Sequence, residues 1–306
     1  MTSPPPTGGP APRPDLRAPV ADVRWLVERA QAEDLTPLGD LSASLLDPSL
    51  RCRAEFRPRR DGTLAGTQCV DETFRQLDPD LAMVWARTDG DAVRAGEVVG
   101  VATGPFPSLL TAERTALNFL GHLSGIATAA ARWVDVAAGR VVVWDTRKTT
   151  PGMRSLEKAA VRAGGAANHR GNLSDWIMLK DNHLAGLGVR AGVAAARSRW
   201  PGRTVHVEAD DVNTALEAVS AGADLILLDN LTPDELRRAV AVIHDEAART
   251  GGRRPLLEAS GGITLESLDA YADTGVDLVS SGALTNSAPV LDIGLDISTD
   301  LTRAST

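Results

Sequence analysis

The sequence predicts an α/β protein whose C-terminal half is a parallel sheet covered by helices. Three observations lead there. From residue 140 onward, six short apolar runs alternate with helical stretches, and strands that are apolar throughout belong to sheets buried on both faces. Before residue 140 the pattern differs, with a helical stretch leading into a β-rich segment. The 306 residues, 43% of them hydrophobic, suit one large domain or two ordinary ones with a substantial core.

In chain order, MTSPPPTGGPAPRPDLRAP holds seven of the 18 prolines and no apolar segment of signal-peptide type. Proline removes backbone donors and fixes φ, so residues 1–19 are expected to form a disordered tail. Residues 20–38 place Val23, Leu26, Val27 and Ala30 at helical spacing. RCRAEFRP alternates Cys52, Ala54 and Phe56 on one strand face, and an Asp-Gly turn at 61–62 leads into a second expected strand, TLAGTQCV. Residues 88–104 read as a hairpin of the kind found in biotinyl or lipoyl carriers. They lack the lysine a carrier needs at its tip, so the hairpin is structural. Residues 111–139 form a long helical stretch with Thr111 as its N-cap and a break possible at a glycine. Gly121 and Gly125 lie one turn apart, which suggests close helix–helix packing.

The six strands are RVVVWDT, DWIMLKDN, TVHVEAD, ADLILLDN, RPLLEASGG and VDLVSSGAL. The helix after the fourth opens with Thr232, Pro233 and Glu235, a capping box with proline at its first position. Six units in this length fit a small or incomplete β/α barrel; a doubly wound sheet is the alternative. No GxGxxG follows the first strand, which argues against a dinucleotide site.

Net charge limits the function classes. With 32 Lys+Arg against 40 Asp+Glu the chain carries −8, which argues against general nucleic-acid or membrane-surface binding. No apolar run approaches a membrane span. Two cysteines, Cys52 and Cys69, lack metal-ligand spacing and read as reduced core thiols of a cytoplasmic protein. A local cationic pocket for a small anion remains compatible with the acid balance, and residues 145–170, DTRKTTPGMRSLEKAAVRAGGAANHR, gather such charge. Only three lysines occur, Lys148, Lys158 and Lys180.

In β/α folds the site lies where strands end and βα loops begin. The first strand ends in Asp145, Thr146, Arg147 and Lys148; Asn168, His169 and Arg170 precede the second, which ends in Lys180. Arginine forks and lysine there suit a polycarboxylate anion. Glu208 and Asp229 end the third and fourth strands; two carboxylates without His or Cys suit Mg²⁺ rather than zinc. Ser260, Gly261, Gly262, Ser281 and Gly282 end the last two, and glycine loops leading into helix N-termini suit a phosphate. Arg154 and Lys158 read as a solvated helix face opposite Met153, Leu156 and Ala160, and Arg162 stays ambiguous. His206 reads as packing or dimer surface; His122 and His244 carry no signal. A sugar diphosphate, a divalent metal and a small polycarboxylate together point to phosphoribosyl transfer from a diphosphate-activated ribose.

DTRKTTPG, AGGAANHR, LSDWIMLKDNH, LLDN, LEASGGI and DTGVDLVSSGALT, in this order and spacing, closely resemble the quinolinate phosphoribosyltransferase family, also called carboxylating nicotinate-nucleotide diphosphorylases. LTAERTALNFLGHLSGIAT and EDLTPLGDLS extend the resemblance to roughly residues 20–297. It implies an N-terminal α/β sandwich domain (20–128 plus 284–306) and a partial β/α barrel catalytic domain (129–283). It implies a homodimer in which Arg114 reaches quinolinate across the interface, with Arg147, His169, Arg170 and Lys180 holding the two carboxylates. Lys148, Glu208 and Asp229 would be catalytic, Glu208 and Asp229 holding Mg²⁺. Lys148 and Lys180, with Ser260, Gly261, Gly262, Ser281 and Gly282, would line the phosphoribosyl diphosphate side. One departure is Asn286, where several relatives carry His. The implied reaction gives nicotinate mononucleotide, CO₂ and diphosphate, a step of NAD biosynthesis. The alternatives are a homologue with another acceptor, of the molybdate-transport-associated type or taking nicotinate, and a non-catalytic anion-binding barrel. Intact NHR and LKDNH motifs favour a dicarboxylate, and Glu208 and Asp229 are of no use to a simple anion binder.

Overall fold

The computed structural model describes residues 15–251 and 253–298. Helix α1 (Val20–Leu35) buries Val23 and Val27 and is followed by β1 (Arg51–Pro58), β2 (Gly62–Thr63), α2 (Thr67–Leu77), β3 (Ala82–Trp85), β4 (Ala92–Val93), β5 (Gly100–Pro105) and the 32-residue α3 (Phe106–Ala137). Strand–helix alternation then gives β6 (Val142–Trp144), α4 (Arg154–Ala163), β7 (Ile177–Leu179), α5 (Asp181–Leu187), α6 (Val189–Arg199), β8 (Val205–Ala209), α7 (Val212–Ala221), β9 (Leu225–Asp229), α8 (Pro233–Thr250), β10 (Leu256–Ser260), α9 (Leu268–Ala272), β11 (Leu278–Ser280), α10 (Ala283–Asn286) and β12 (Ile293–Ile297).

All six sequence-read strands form, in a parallel sheet ordered β6-β11-β10-β9-β8-β7. That order is cyclic: the first strand lies beside the last. A doubly wound sheet reverses direction partway, so the barrel reading holds. The barrel is open between β6 and β7. There residues 164–170 lie along β6, where Ala167 bridges to Trp144 and its N–H donates to the Val143 carbonyl at 2.8 Å. The antiparallel sheet, ordered β12-β1-β5-β3, lies in the N-terminal lobe, where the chain end returns as β12. In β1 alternate residues Cys52, Ala54 and Phe56 face inward, as the period of two requires.

Four local expectations are corrected. TLAGTQCV is not a strand beyond Thr63: α2 starts at Thr67 and buries Cys69, Val70, Thr73 and Phe74 on one face. Gly66 caps it at φ +96°, where a Cβ would press on Leu123. A short apolar run does not distinguish strand from helix by periodicity. Residues 88–104 form no hairpin, because β4 pairs with β2 while β5 lies between β1 and β3. Thr111 is no N-cap. α3 begins at Phe106, with proline in its first turn, and runs unbroken; the Thr111 hydroxyl binds the Pro107 carbonyl and Asp40, each at 3.0 Å. The expected tail lies partly outside the described residues (1–14), but 15–19 dock onto α4: Arg162 donates to the carbonyls of Asp15 (2.8 Å) and Arg17 (3.0 Å), and Ala18 is buried.

Gly121 and Gly125 do mark a close approach, though not of two helices. Chain segment 289–291, leading into β12, crosses α3 there, and Leu291 N–H donates to Gly121 O at 3.0 Å. A Cβ on Gly125 would overlap the Pro289 carbonyl oxygen and sit 3.0 Å from Val290 Cα. Gly125→Ala gains helix propensity but forces this backbone apart. The expected net loss is roughly 1–3 kcal/mol, read as a lower urea midpoint; an unchanged midpoint would show that the crossing is soft.

Candidate active site

A cavity of about 420 Å³ opens at the C-terminal ends of the barrel strands. Its wall includes Arg147, Lys148, His169, Arg170, Lys180, Glu208, Asp229 and Ser260. Eight sequence-read site residues thus converge from five strand ends and the 164–170 connection. Gly261, Gly262, Ser281 and Gly282 lie on the adjoining loops rather than in the wall. Arg114 is exposed on α3 and does not line this cavity of its own chain.

The cationic half rests on a buried network. Asp145 is fully buried and faces inward to the scaffold. It pairs with Lys158 Nζ and accepts from His169 N–H and Asn168 Nδ2, both at 2.8 Å. Lys158 Nζ also donates to the His169 carbonyl at 2.9 Å. Burial pulls Lys158 down and pushes Asp145 up, and each charge offsets the other's shift. Lys158 is therefore no solvated residue: α4 packs beside the barrel opening, and its polar face serves the loop 164–170 instead of water. Arg154 likewise binds Thr149 Oγ1 (3.0 Å) and the Gly171 carbonyl (3.2 Å). Arg162, ambiguous in sequence, donates to Asn168 Oδ1 at 2.7 Å and so joins the N-terminal segment to the same network. His122 has a partner too, since its Nε2 lies 2.9 Å from buried Glu157, which accepts from Thr150 N–H at 3.2 Å.

His169 is buried, and its Nδ1 accepts from Arg170 N–H at 2.8 Å. In the neutral ring the proton then sits on Nε2. Burial, then the charges of Lys158, Arg170, Lys180 and Arg147, hold its pKa down to about 3, so it is a neutral donor before any anion arrives. Its ring packs edge-on to Trp144, centroids 4.7 Å apart, and against Trp176 at 5.0 Å. Among the described residues, the buried Nε atoms of Arg147 and Arg170 have no hydrogen-bond partner. Buried donors left unpaired are costly, and both residues also line the one cavity.

On the acidic side, Glu208 pairs with Lys180, and Asp229 accepts from Asn230 Nδ2 at 2.7 Å. Burial, then repulsion from Glu208, raises the Asp229 pKa. Gly261 is needed in the next loop: at φ +96° its Cβ would overlap the Asn230 side chain. The glycines of β10 do not run straight into a helix, because α9 starts only at Leu268. Ser281 is buried, its hydroxyl donating to the Ile263 carbonyl at 3.2 Å, so its side chain braces the loop. Gly282 makes room for Lys148, whose Cδ lies 2.7 Å from where a Cβ would stand. Asn286 is exposed and accepts from Ser287 Oγ at 2.9 Å.

Sequence reading missed Glu258, Trp144, Trp176 and the depth of His206. Glu258 and His206 are fully buried, with Glu258 at the cavity floor. The available signal was strand parity: Glu258 shares its strand face with Ser260, and His206 with Glu208.

Comparison with known proteins agrees with this geometry. The family models described as "Quinolinate phosphoribosyl transferase, N-terminal domain" and "Quinolinate phosphoribosyl transferase, C-terminal domain" match residues 40–124 and 126–296. A probable nicotinate-nucleotide pyrophosphorylase (carboxylating) of Bacillus subtilis is 41% identical over 264 residues, covering 85% of this chain and 88% of its own. The Mycobacterium leprae nicotinate-nucleotide pyrophosphorylase (carboxylating) is 38% identical over 284 residues, covering 90% and 96%. The solved structure of the nicotinate-nucleotide pyrophosphorylase from Francisella tularensis superposes with a TM-score of 0.87 at 33% identity, covering 92% of this chain and 98% of that one.

Proposed function

This chain belongs to the quinolinate phosphoribosyltransferase family, and from that premise we infer that it transfers phosphoribose from 5-phosphoribosyl 1-diphosphate to quinolinate with loss of CO₂. The products are nicotinate mononucleotide and diphosphate, in NAD biosynthesis. The observation that carries the reading is the pair of unpartnered guanidinium Nε atoms, on Arg147 and Arg170, beside a neutral His169 in one cavity. A dianion with adjacent carboxylates suits the guanidinium groups of these two arginines, with His169 and Lys180 beside them in the lining.

Arg147, Arg170, His169 and Lys180 bind and orient the two carboxylates so that the pyridine nitrogen faces C1 of the ribose. Holding both reactants in line is itself a large part of the rate. Lys148, at the rim, stabilises the charge that builds on the departing diphosphate. The C1–O bond breaks as the N–C1 bond forms, and Glu208 and Asp229 offset positive charge at C1. The C2–carboxylate bond then breaks and CO₂ leaves; the electron pair stays on C2 as an ylide held beside the positively charged ring nitrogen, and C2 takes a proton from water. None of these steps needs a side-chain base. Glu208 and Asp229 fit Mg²⁺, being two hard oxygen donors whose mutual repulsion is only partly relieved by lysines. When bound there, Mg²⁺ would neutralise diphosphate charge.

Pure protein with Mg²⁺, quinolinate and phosphoribosyl diphosphate should yield the mononucleotide and CO₂; product from nicotinate but not quinolinate would overturn the acceptor. Arg147→Ala is expected to raise the KM for quinolinate roughly 10- to 100-fold.

We also read the protein as a homodimer that shares its sites. Exposed Arg114 lies outside its own cavity and would complete the partner's dicarboxylate subsite. Assayed at quinolinate concentrations far below their raised KM, Arg114→Ala and Arg147→Ala proteins should each show little activity; once they exchange subunits, the mixture should reach about a quarter of wild-type activity, since half the dimers are hybrids with one intact site. Exchange without recovery would place Arg114 elsewhere. No helix among the described residues is long and apolar enough to cross a membrane.

A further inference from the structure

Two buried groups beneath the cavity, Glu258 and His206, are not used by the mechanism above. Glu258 Oε2 lies 3.3 Å from His206 Nε2 and 3.7 Å from His169 Nε2. Ligand atoms of all three fall within 4.8 Å of one another, and all three are buried. Neither Glu258 oxygen nor either His206 nitrogen has a hydrogen bond of ordinary geometry among the described residues. A carboxyl group thus forms the floor of a cavity whose wall is arranged for a dianion.

We propose that Glu258 serves the dicarboxylate subsite as a neutral carboxylic acid, a positioning residue whose ionisation closes the subsite to quinolinate. The proposal rests on the quinolinate reading. In the neutral form the acid proton goes to His206 Nε2. Oε2 then offers no negative charge to His169, whose Nε2–H stays free for a ligand carboxylate. In the ionised form Oε2 draws that N–H down to itself and sets a negative charge under the incoming dianion. Both effects oppose binding.

The surroundings hold Glu258 in the neutral state. His206 and Glu208 lie on β8, Lys180 follows β7, β9 ends in Asp229, and Arg147, His169 and Arg170 come from the loops after β6 and α4. β11 and β6 contribute only Ser280 and the Trp144 indole. Burial, the largest cause, pushes the Glu258 pKa up to about 8; Ser280 and the Trp144 indole, which favour the carboxylate, oppose it, Glu208 adds repulsion and Lys180 opposes again. Burial keeps both imidazoles neutral, so neither supplies a countercharge. The sign follows. Glu258 is protonated below about pH 8 and ionised above it; a dianion binds the protonated form better, so binding above that pH takes up a proton.

The test is calorimetric titration of the whole protein with quinolinate from pH 6.5 to 9.5, in pairs of buffers with different ionisation enthalpies. Quinolinate's own ionisations lie below this range. Wild-type Kd should rise towards tenfold per pH unit above about 8, with uptake approaching one proton per ligand at pH 9.5 and none at pH 6.5. In Glu258→Gln the rise and the uptake should both vanish, and the variant should bind more tightly than wild type at pH 9.5. A wild-type slope that persists in Glu258→Gln, or a wild-type Kd that is flat with no proton uptake, overturns the proposal alone. The second result needs no variant, so a Glu258→Gln protein that misfolds does not shield it. No quinolinate binding by wild type at pH 6.5 overturns the functional reading and this proposal with it.

Discussion

Replacing Lys148 with alanine should lower turnover by roughly two to three orders of magnitude while leaving the KM for quinolinate nearly unchanged. Of the three lysines, Lys158 is paired with Asp145 and Lys180 with Glu208. Lys148 is exposed at the cavity rim and makes no ion pair among the described residues. Its backbone is fixed on both sides: Thr285 Oγ1 donates to its carbonyl at 2.6 Å, and its N–H donates to Thr146 Oγ1 at 3.0 Å. The side chain runs over Gly282, so the ammonium is aimed without being neutralised. A fixed, unpaired cation stabilises charge that develops late, which raises kcat rather than ground-state affinity. Lys148→Arg should recover little, because a planar fork is bulkier than an ammonium where the stem already lies close over Gly282. Steady-state kinetics with each substrate varied in turn checks this. A raised KM for quinolinate with kcat retained would move Lys148 into the carboxylate clamp.

Lys158→Met should cost about 3–5 kcal/mol of stability, the largest effect expected outside the cavity. Methionine fills much of the stem's volume but leaves Asp145 fully buried with its charge uncompensated. The His169 carbonyl loses its 2.9 Å donor as well. Adding Asp145→Asn should restore part of the loss, since it removes the charge while keeping an acceptor for the His169 N–H. Urea unfolding of both proteins measures the two steps. A single variant within about 1 kcal/mol of wild type would mean that water reaches this pair.

These two lysines show what the sequence could and could not convey. Lys148 was legible because it ends a strand, and strand ends follow from apolar runs such as RVVVWDT and ADLILLDN. Lys158 was not. Its four-residue spacing with Arg154 and Arg162 describes one helix face but not what that face meets, and the open side of the barrel is a tertiary fact. Glu258 escaped for a related reason: within LEASGG it precedes the serine and glycines that mark the strand end, and a residue inside an apolar run carries no such mark. Cys69 was placed on a strand because TLAGTQCV is too short for its period to speak, whereas the 32 residues of α3 were recognisable despite a misplaced start. Arg114 was singled out by its motif alone; its own chain gives it no ligand to face.

Helix α3 has a consequence for how the chain folds. At about 48 Å long, it puts Leu109, Ala112, Ala116 and Leu120 into the core under the antiparallel sheet, and Ile126, Ala127, Ala130 and Trp133 into the barrel core. The boundary between the two family matches, at residues 124 and 126, falls inside this helix with no loop beside it. Cutting there would leave unpaired N–H and C=O groups on either side of the break and would part Phe119 and Leu123 from the barrel core in which they pack. The two lobes are therefore expected to unfold together as one cooperative unit rather than as two modules in series.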